Sequence, residues 1–144
     1  MIMRELEGNL FQASPDVVLA HCVSADCAMG AGIALQFRKQ FRDMPAFCLM
    51  QNPEIGQAIL YSGVDRRVIN LVTKAKYFHK PTYSTLEAAL LDMRRVLESN
   101  RITRISMPRI GCGLDRLQWG AVRQLIANTF GDMELIIEVY QLKA

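Results

Sequence analysis

Residues 106–119 combine the end of a short apolar run with two glycines spaced by one residue, a pattern suited to binding an anion. The run 102–107 has the composition of a buried strand, and Pro108 is expected to end its pairing because proline has no N–H to donate. A helical pattern begins near Leu117. A strand, a glycine loop and a helix in this order present free backbone N–H groups to a phosphate. Asp115 lies at the end of this loop, where a negative charge opposes a phosphate, so we expect this carboxylate to have a chemical task.

A second glycine loop lies upstream, at residues 29–34 (Met-Gly-Ala-Gly-Ile-Ala). It follows a nearly continuous apolar run at 17–23, which is typical of a strand buried on both faces of a sheet. It also opens a predicted helix, residues 30–41, whose N-terminus carries a partial positive charge. One Gly-x-Gly loop is a weak signal, whereas two loops at one sheet edge suit a diphosphate.

Strands and helices alternate along the rest of the chain. Strands are predicted at 1–6, 17–23, 55–61, 67–72, 102–107 and 134–140, with helices at 30–41, 45–51, 84–100 and from 117. Residues 84–87 (Ser-Thr-Leu-Glu) are interpreted as a capping box. The alternation predicts an α/β fold with a largely parallel sheet and helices on both faces. Ligands of such sheets bind beyond the carboxyl ends of the strands, where both glycine loops fall. The Gly-x-Gly-x-x-Gly fingerprint of dinucleotide-binding redox folds is absent from both loops.

Length and composition predict one globular domain covering residues 1–144. Hydrophobic residues make up 51% and charged residues 22%, and the net charge is +3 without a long basic run, which argues against a dedicated duplex-DNA binder. The four cysteines and two histidines lack the spacing of a zinc site, so we expect no metal. Without a signal peptide or an apolar run of about 18 residues, we expect a cytoplasmic protein, or a nuclear one in a eukaryote, with free thiols and no membrane contact.

Five short motifs, in order along residues 8–140, resemble the macrodomain family and most closely its branch of terminal ADP-ribose protein glycohydrolases. They are Gly8-Asn9-Leu10-Phe11, Ala20-His21-Cys22-Val23-Ser24, Met29-Gly30-Ala31-Gly32-Ile33-Ala34, His79-Lys80-Pro81-Thr82-Tyr83 and Pro108-Arg109-Ile110-Gly111-Cys112-Gly113-Leu114-Asp115. The resemblance implies a three-layer α/β/α fold with a central mixed, largely parallel sheet. It also implies an ADP-ribose cleft built by the two glycine loops.

The resemblance further implies the residues of the site. A lysine and an aspartate carry the chemistry of this branch, and the matching positions are Lys80 and Asp115. The residues expected to contact the ligand are Asn9, Leu10, Ser24, Met29, Gly30, Ala31, Gly32, Ile33, Pro108, Ile110, Gly111, Cys112, Gly113 and Leu114. One position departs from the family, whose usual Gly-Asp start is Gly8-Asn9 here. The acidic residue of relatives accepts a hydrogen bond from adenine, and Asn9 keeps an acceptor oxygen without the charge.

The chemistry of the bond to be cut agrees with these two residues. The anomeric carbon of the distal ribose is electrophilic, and an amine adds to such a carbon or to the aldehyde of the opened sugar. The amine has to be unprotonated to attack, and burial favours the neutral form of a lysine. Lys80 precedes Pro81, which favours an extended backbone at a loop end. Asp115 can take a proton and later activate water, and a helix N-cap or first-turn position is a structural reason for an aspartate there, compatible with that role.

The sequence therefore predicts a hydrolase without a cofactor, an ADP-ribosyl glycohydrolase that removes terminal mono-ADP-ribose from glutamate or aspartate esters on protein or from DNA bases. Deacylation of O-acyl-ADP-ribose is a further expected activity. A reader that binds ADP-ribose without turnover and a phosphatase acting on ADP-ribose-1″-phosphate remain alternatives. Expected partners are ADP-ribose and ADP-ribosylated protein or DNA, and the expected state is a monomer. Phe78 and Tyr83 are interpreted either as core residues or as pocket residues.

Overall fold

A six-stranded sheet organises the chain, and the computed structural model describes residues 1–142. The strands are β1 (Ile2–Glu7), β2 (Val18–Ser24), β3 (Ala58–Ser62), β4 (Arg67–Lys74), β5 (Arg104–Pro108) and β6 (Ile136–Gln141). Their order in the sheet is β1-β6-β5-β2-β4-β3. Only the β3–β4 pair is antiparallel among these neighbours, so the predicted mixed, largely parallel sheet is confirmed.

Within the described residues, four helices cover the sheet: α1 (Gly32–Gln40), α2 (Met44–Met50), α3 (Tyr83–Ser99) and α4 (Trp119–Phe130). Two apolar clusters place them in two layers, one containing side chains of α1 and α2 and the other side chains of α3 and α4. Alternate residues of β2 enter opposite clusters: Val18 and Ala20 pack towards α3 and α4, Leu19 and Val23 towards α1 and α2. Because side chains alternate across a strand, a continuous apolar run indicates burial on both faces. The three-layer α/β/α prediction is confirmed.

Pro108 is the last residue of β5, opposite Tyr140 of β6, as expected of a proline that ends strand pairing. Two predicted helix starts are wrong. The first helix begins at Gly32 rather than residue 30, since Met29 has a φ of +46° and Ala31 is extended, with φ −150° and ψ 161°. The last helix begins at Trp119 rather than near 117. A 3-10 turn at Gly113–Asp115 precedes it, and Arg116 then adopts φ +64°.

The capping box of α3 is also not where the sequence predicted it. Thr82 is the N-cap, and its hydroxyl accepts a hydrogen bond from Thr85 N at 3.1 Å. The Thr85 hydroxyl in turn accepts from Thr82 N at 3.0 Å. Ser84 lies inside the first turn instead. The reciprocal pair is therefore Thr-x-x-Thr, two residues earlier than the Ser-Thr-Leu-Glu interpretation.

Candidate active site

The carboxyl ends of β2 and β5 lie side by side and open into one cavity of about 1110 Å³. Every residue predicted above as catalytic or ligand-contacting lies in its wall, which includes both glycine loops, Asn9, Ser24, Lys80 and Asp115. This is the position expected of a ligand site in an open α/β sheet. The geometry thus brings the predicted residues together, while their individual roles stay predictions.

The first glycine loop ends in an uncapped helix N-terminus. The N-cap of α1 is Ala31, which has no side chain to satisfy the first N–H groups of the helix. Gly30 beside it is exposed, and a Cβ placed there would meet nothing within 4 Å. These N–H groups carry the positive end of the helix dipole and border the cavity, so they can receive an anion without rearrangement.

The second glycine loop is closed by its own backbone. Leu117 N donates to Gly111 O at 2.8 Å, and Arg116 N donates to Gly113 O at 3.1 Å. Gly111 and Gly113 have φ values of +74° and +70°, which residues with a side chain rarely adopt. A Cβ on Gly113 would meet nothing within 4 Å, so it would project into open space. The loop therefore leaves room for a group close to its backbone.

The two glycine loops meet across the cavity. A Cβ on Gly32 would lie 3.2 Å from Leu114 Cδ1, so the second loop passes directly over the start of α1. Leu114 is nevertheless 61% exposed. An elongated ligand bound here would pass between the two glycine loops. The groups at its two ends would then lie on opposite sides of the contact between the loops.

A lysine that the sequence analysis did not single out pairs with the predicted catalytic aspartate. Lys74 Nζ lies 2.7 Å from Asp115 Oδ1, and both side chains are largely buried, at 15% and 16% exposure. Lys80 Nζ instead donates to Leu114 O at 2.6 Å, and its side chain is exposed. The aspartate charge beside the phosphate-type loop is thus offset by Lys74. Lys80 is held against the residue that precedes Asp115.

Lys74 was not singled out from the sequence because the end of its strand was predicted too early. The strand was predicted to stop at residue 72, which left Lys74 in a loop with Lys76 and Lys80. In the structure β4 continues to Lys74, which lies opposite Ser24 of β2 across a register shift. The glycine loops were located by the rule that ligands bind beyond the carboxyl ends of the strands. The same rule would have singled out Lys74 if the strand had been predicted to extend to it.

The thiols of the cavity are poorly suited to act as nucleophiles. Burial chiefly, with the Asp115 carboxylate adding to it, raises the pKa of the Cys22 thiol to about 12. Burial raises the pKa of the Cys112 thiol as well, against the opposing charge of Arg109. A thiolate is the reactive form of cysteine, so neither thiol is activated here. Of the two amines in the wall, Lys74 is paired with Asp115, so Lys80 is the candidate nitrogen nucleophile.

Asp26 connects two loops beside the cavity through its hydrogen bonds. Burial acts to raise the pKa of Asp26, but hydrogen bonds from the Ser24 hydroxyl and the backbone N–H groups of Tyr77 and Ala28 hold it below its usual value. The carboxylate thereby joins the loop after β2 to the loop after β4. Ser24, predicted to contact the ligand, donates its hydroxyl hydrogen to Asp26, so it faces a ligand as an acceptor.

Asn9, shortly after the edge strand β1, and Arg109, directly after β5, both lie in the cavity wall. Asn9 caps the 3-10 turn Leu10–Gln12, and its Oδ1 accepts from Phe11 N at 3.0 Å. A carbonyl oxygen has two lone pairs, so this atom can accept a second hydrogen bond from a ligand. Arg109 lies over the Trp119 ring at 5.5 Å, and Trp119 Nε1 donates to Glu5 Oε1 at 2.8 Å, which fixes this wall.

No helix within residues 1–142 combines the length and apolar composition needed to span a membrane. Nor do the described residues bring three or more His, Cys, Asp or Glu side chains together as a metal site would.

Comparison with known proteins agrees with this fold. The family model of the Macro domain matches residues 20–126, so the chain belongs to the Macro domain family. The chain is 42% identical over 137 residues to the Homo sapiens protein named ADP-ribose glycohydrolase OARD1, covering 95% of this chain and 90% of that protein. It is 29% identical over 141 residues to the Thermus aquaticus protein named DNA ADP-ribosyl glycohydrolase, covering 92% of this chain and 39% of that protein. The solved macrodomain of Thermus aquaticus DarG superposes with a TM-score of 0.88 at 27% identity, covering 97% of this chain and 98% of that one.

Proposed function

We propose that this chain is an ADP-ribosyl glycohydrolase that releases ADP-ribose from a modified carrier, either a carboxylate ester on protein or a nucleic-acid base. One observation carries the proposal: Lys80 and the Lys74–Asp115 pair occupy one wall of the cavity whose other parts are the two glycine loops. A reader of ADP-ribose needs the loops but has no use for a buried lysine–carboxylate pair and a second amine beside it. Names of the similar proteins point to the same reaction class.

In the proposed reaction the lysine amine attacks the anomeric carbon of the distal ribose. The new C–N bond forms as the bond from that carbon to the carrier breaks, and the carrier leaves with the electron pair. The amine loses a proton, and Asp115 is the proposed acceptor, either directly or through water. Asp115 passes this proton to the departing carrier and is a carboxylate again. Water then adds to the same carbon with Asp115 as base. The C–N bond breaks as Asp115 returns the proton to the amine, which frees ADP-ribose and restores the lysine.

The contacts of Lys74 and Lys80 in the cavity support different roles for the two lysines. Its Oδ1 is paired with Lys74, and Lys80 donates to Leu114 O rather than to the carboxylate. Lys74 is therefore the proposed positioning residue for Asp115, and Lys80 the proposed nucleophile. The exposed Lys80 has the freedom to turn from the Leu114 carbonyl towards a bound ribose.

The test compares Lys80→Ala, Asp115→Ala and wild type on an ADP-ribosylated glutamate peptide and an ADP-ribosylated oligonucleotide. Lys80→Ala is expected to keep affinity for free ADP-ribose in calorimetry and to lose turnover, because the lysine contributes to the reacting centre. In the slow Asp115→Ala variant, mass spectrometry looks for ADP-ribose mass on the peptide containing Lys80. Full activity in Lys80→Ala rules out this mechanism.

The same assay separates the other candidate activities. A protein that binds ADP-ribose and releases it from neither carrier is a reader. Release of inorganic phosphate from ADP-ribose-1″-phosphate identifies the phosphatase activity. O-acyl-ADP-ribose supplied as a third substrate tests deacylation, with release of the free carboxylic acid as the readout.

A further inference from the structure

The loop between β4 and α3 carries aromatic side chains that the protein core does not use. Tyr77 and Phe78 are 64% and 66% exposed, and the flanking Lys76 and His79 are exposed as well. We call residues 76–79 the aromatic loop. Large aromatic side chains contribute most when buried, so neighbouring exposed rings mark a surface for contact with another molecule. Phe78 belongs neither to the core nor to the cavity wall, so both interpretations made from the sequence are wrong for it.

The aromatic loop is held in one shape by its own contacts. Tyr77 N donates to Asp26 Oδ2 at 3.0 Å, and His79 N donates to Lys76 O at 3.0 Å. The rings contact each other edge to face, with centroids of Tyr77 and Phe78 5.3 Å apart and those of Phe78 and His79 4.7 Å apart. Such edge contacts leave ring faces free for a planar group to stack against.

The aromatic loop lies beside the reacting end of the cavity. Tyr77 contributes to the cavity wall and Lys80 follows the loop directly, whereas Phe78 and Lys76 lie outside the wall. An ADP-ribose whose distal ribose reaches Lys80 would have its carrier group leaving the cavity at this point. The carrier therefore has to pass the aromatic loop.

The charge around the loop is positive. Residues 74–86 contain Lys74, Lys76 and Lys80 and no Asp or Glu. Within residues 1–142 neither Lys76 nor Lys80 forms an ion pair, and the nearby Asp26 carboxylate is occupied by hydrogen bonds. Positive side chains interleaved with exposed rings suit a chain that carries phosphates and bases.

We propose that the aromatic loop is a stacking surface for a base of single-stranded nucleic acid whose ADP-ribose occupies the cavity. The proposal rests on the hydrolase function proposed above and names its carrier. Exposed rings bind successive bases without sequence preference, and lysines follow the phosphates. A polypeptide carrier fits less well, because the N–H groups of Tyr77 and His79 are already bonded and cannot pair with an extended peptide.

The first test compares Phe78→Ala with wild type on an ADP-ribosylated single-stranded oligonucleotide and on an ADP-ribosylated glutamate peptide. Loss of one stacked base is expected to lower kcat/KM on the oligonucleotide about five- to a hundredfold and on the peptide less than about twofold. Phe78→Tyr keeps a ring face and should retain oligonucleotide activity, whereas Phe78→Leu keeps bulk without a ring face and should not. Met50→Ala, at a 78% exposed apolar side chain on α2, is the matched control and should change neither activity.

The second test does not depend on turnover. Fluorescence anisotropy measures the binding of an unmodified single-stranded oligonucleotide at several salt concentrations. Phe78→Ala should weaken binding at every salt concentration, and Lys76→Ala should reduce the salt slope by about 0.7, the value for one phosphate contact on a single strand.

The outcomes separate this proposal from the hydrolase proposal. The stacking-surface proposal is overturned if Phe78→Ala affects both carriers equally, or affects neither, and oligonucleotide binding is also unchanged. These results leave the hydrolase proposal intact. A wild-type protein that cleaves neither carrier overturns the hydrolase. Oligonucleotide binding then still decides whether the aromatic loop contacts single strands.

Discussion

Lys74 Nζ and Asp115 Oδ1 lie 2.7 Å apart, joining the end of β4 to the loop that follows β5. The two residues are separated by 41 positions in the chain, and each is largely buried. A largely buried carboxylate is stable next to an anion-binding loop only if a cation accompanies it. This pair explains why an aspartate is tolerated in a loop built for an anion.

Lys74→Met should lower kcat about tenfold or more, because removing one partner of a charged hydrogen bond costs roughly 1.5–3 kcal/mol and leaves Asp115 without its fixed orientation. Lys74→Arg keeps the charge and should retain more activity. Steady-state kinetics on the ADP-ribosylated substrate measure both variants, with Lys39→Met on α1, outside the cavity wall, as control. Wild-type kcat in Lys74→Met would show that the ion pair is not needed.

Gly30→Val should weaken ADP-ribose binding at least tenfold, because it places a side chain where the ligand approaches the backbone of the first glycine loop. Gly30 is the best position for this test, because its φ is not left-handed and its Cβ would meet nothing within 4 Å. Substitution at Gly32 or Gly113 also strains a positive φ, so it mixes a folding effect with the binding effect. Calorimetry measures affinity, and Gly120→Val, equally open but outside the cavity wall, is the control. Unchanged affinity in a folded Gly30→Val variant would exclude the diphosphate from this loop.

Asn9→Asp should tighten ADP-ribose binding by about 1 kcal/mol, roughly fivefold. A carboxylate forms a stronger hydrogen bond to the adenine amino group than an amide oxygen does, and it can still accept from Phe11 N. Asn9→Leu is a weaker test because it also removes the cap of the turn Leu10–Gln12. Equal affinities for AMP-containing ligands in wild type and Asn9→Asp would place adenine elsewhere.

Acid should destabilise the fold through His21. This side chain is fully buried, stacks on Phe37 with centroids 3.8 Å apart, and has Nε2 2.6 Å from Asn70 Oδ1. Burial lowers the pKa of His21 to about 4, against the opposing hydrogen bond with Asn70. Because the folded pKa is below the unfolded value of 6.5, the stabilisation is complete above about pH 6.5 and is lost as pH falls towards 4.

The expected loss in free energy of unfolding between pH 7.5 and pH 5 is about 2 kcal/mol from His21 alone. Urea denaturation at the two pH values measures it. His21→Gln should remove most of this difference, whereas His79→Gln, at the exposed histidine, should preserve it. An equal pH dependence in both variants would assign the effect to other groups.

Thr82→Ala should lower the free energy of unfolding by about 1 kcal/mol, the usual cost of losing an N-cap. Ser84→Ala should change it by less than about 0.5 kcal/mol, because Ser84 is an exposed residue inside the first turn of α3. Thermal or urea unfolding of the two variants distinguishes them. The opposite ranking would restore the capping box that the sequence pattern favoured.

Local patterns were enough to establish the architecture. The apolar run before residue 24 indicated a strand buried on both faces, and the apolar spacing from Leu86 to Leu97 matches the buried face of α3. Five motifs in order identified the family, and the rule that ligands bind at strand carboxyl ends located both glycine loops. These features follow from residue type and short spacing, which a sequence displays directly.

Tertiary structure alone decided which side chains meet. Lys74 and Lys80 are both lysines near a strand end, and no local pattern tells that the first pairs with Asp115 while the second bonds to Leu114 O. That choice depends on the register of β4 against β2 and on the positive φ values that fold the loop after β5 back over the start of α1. The exposure of Phe78 is of the same kind, because an aromatic residue in a loop is buried or free only according to the surfaces that the rest of the chain brings to it.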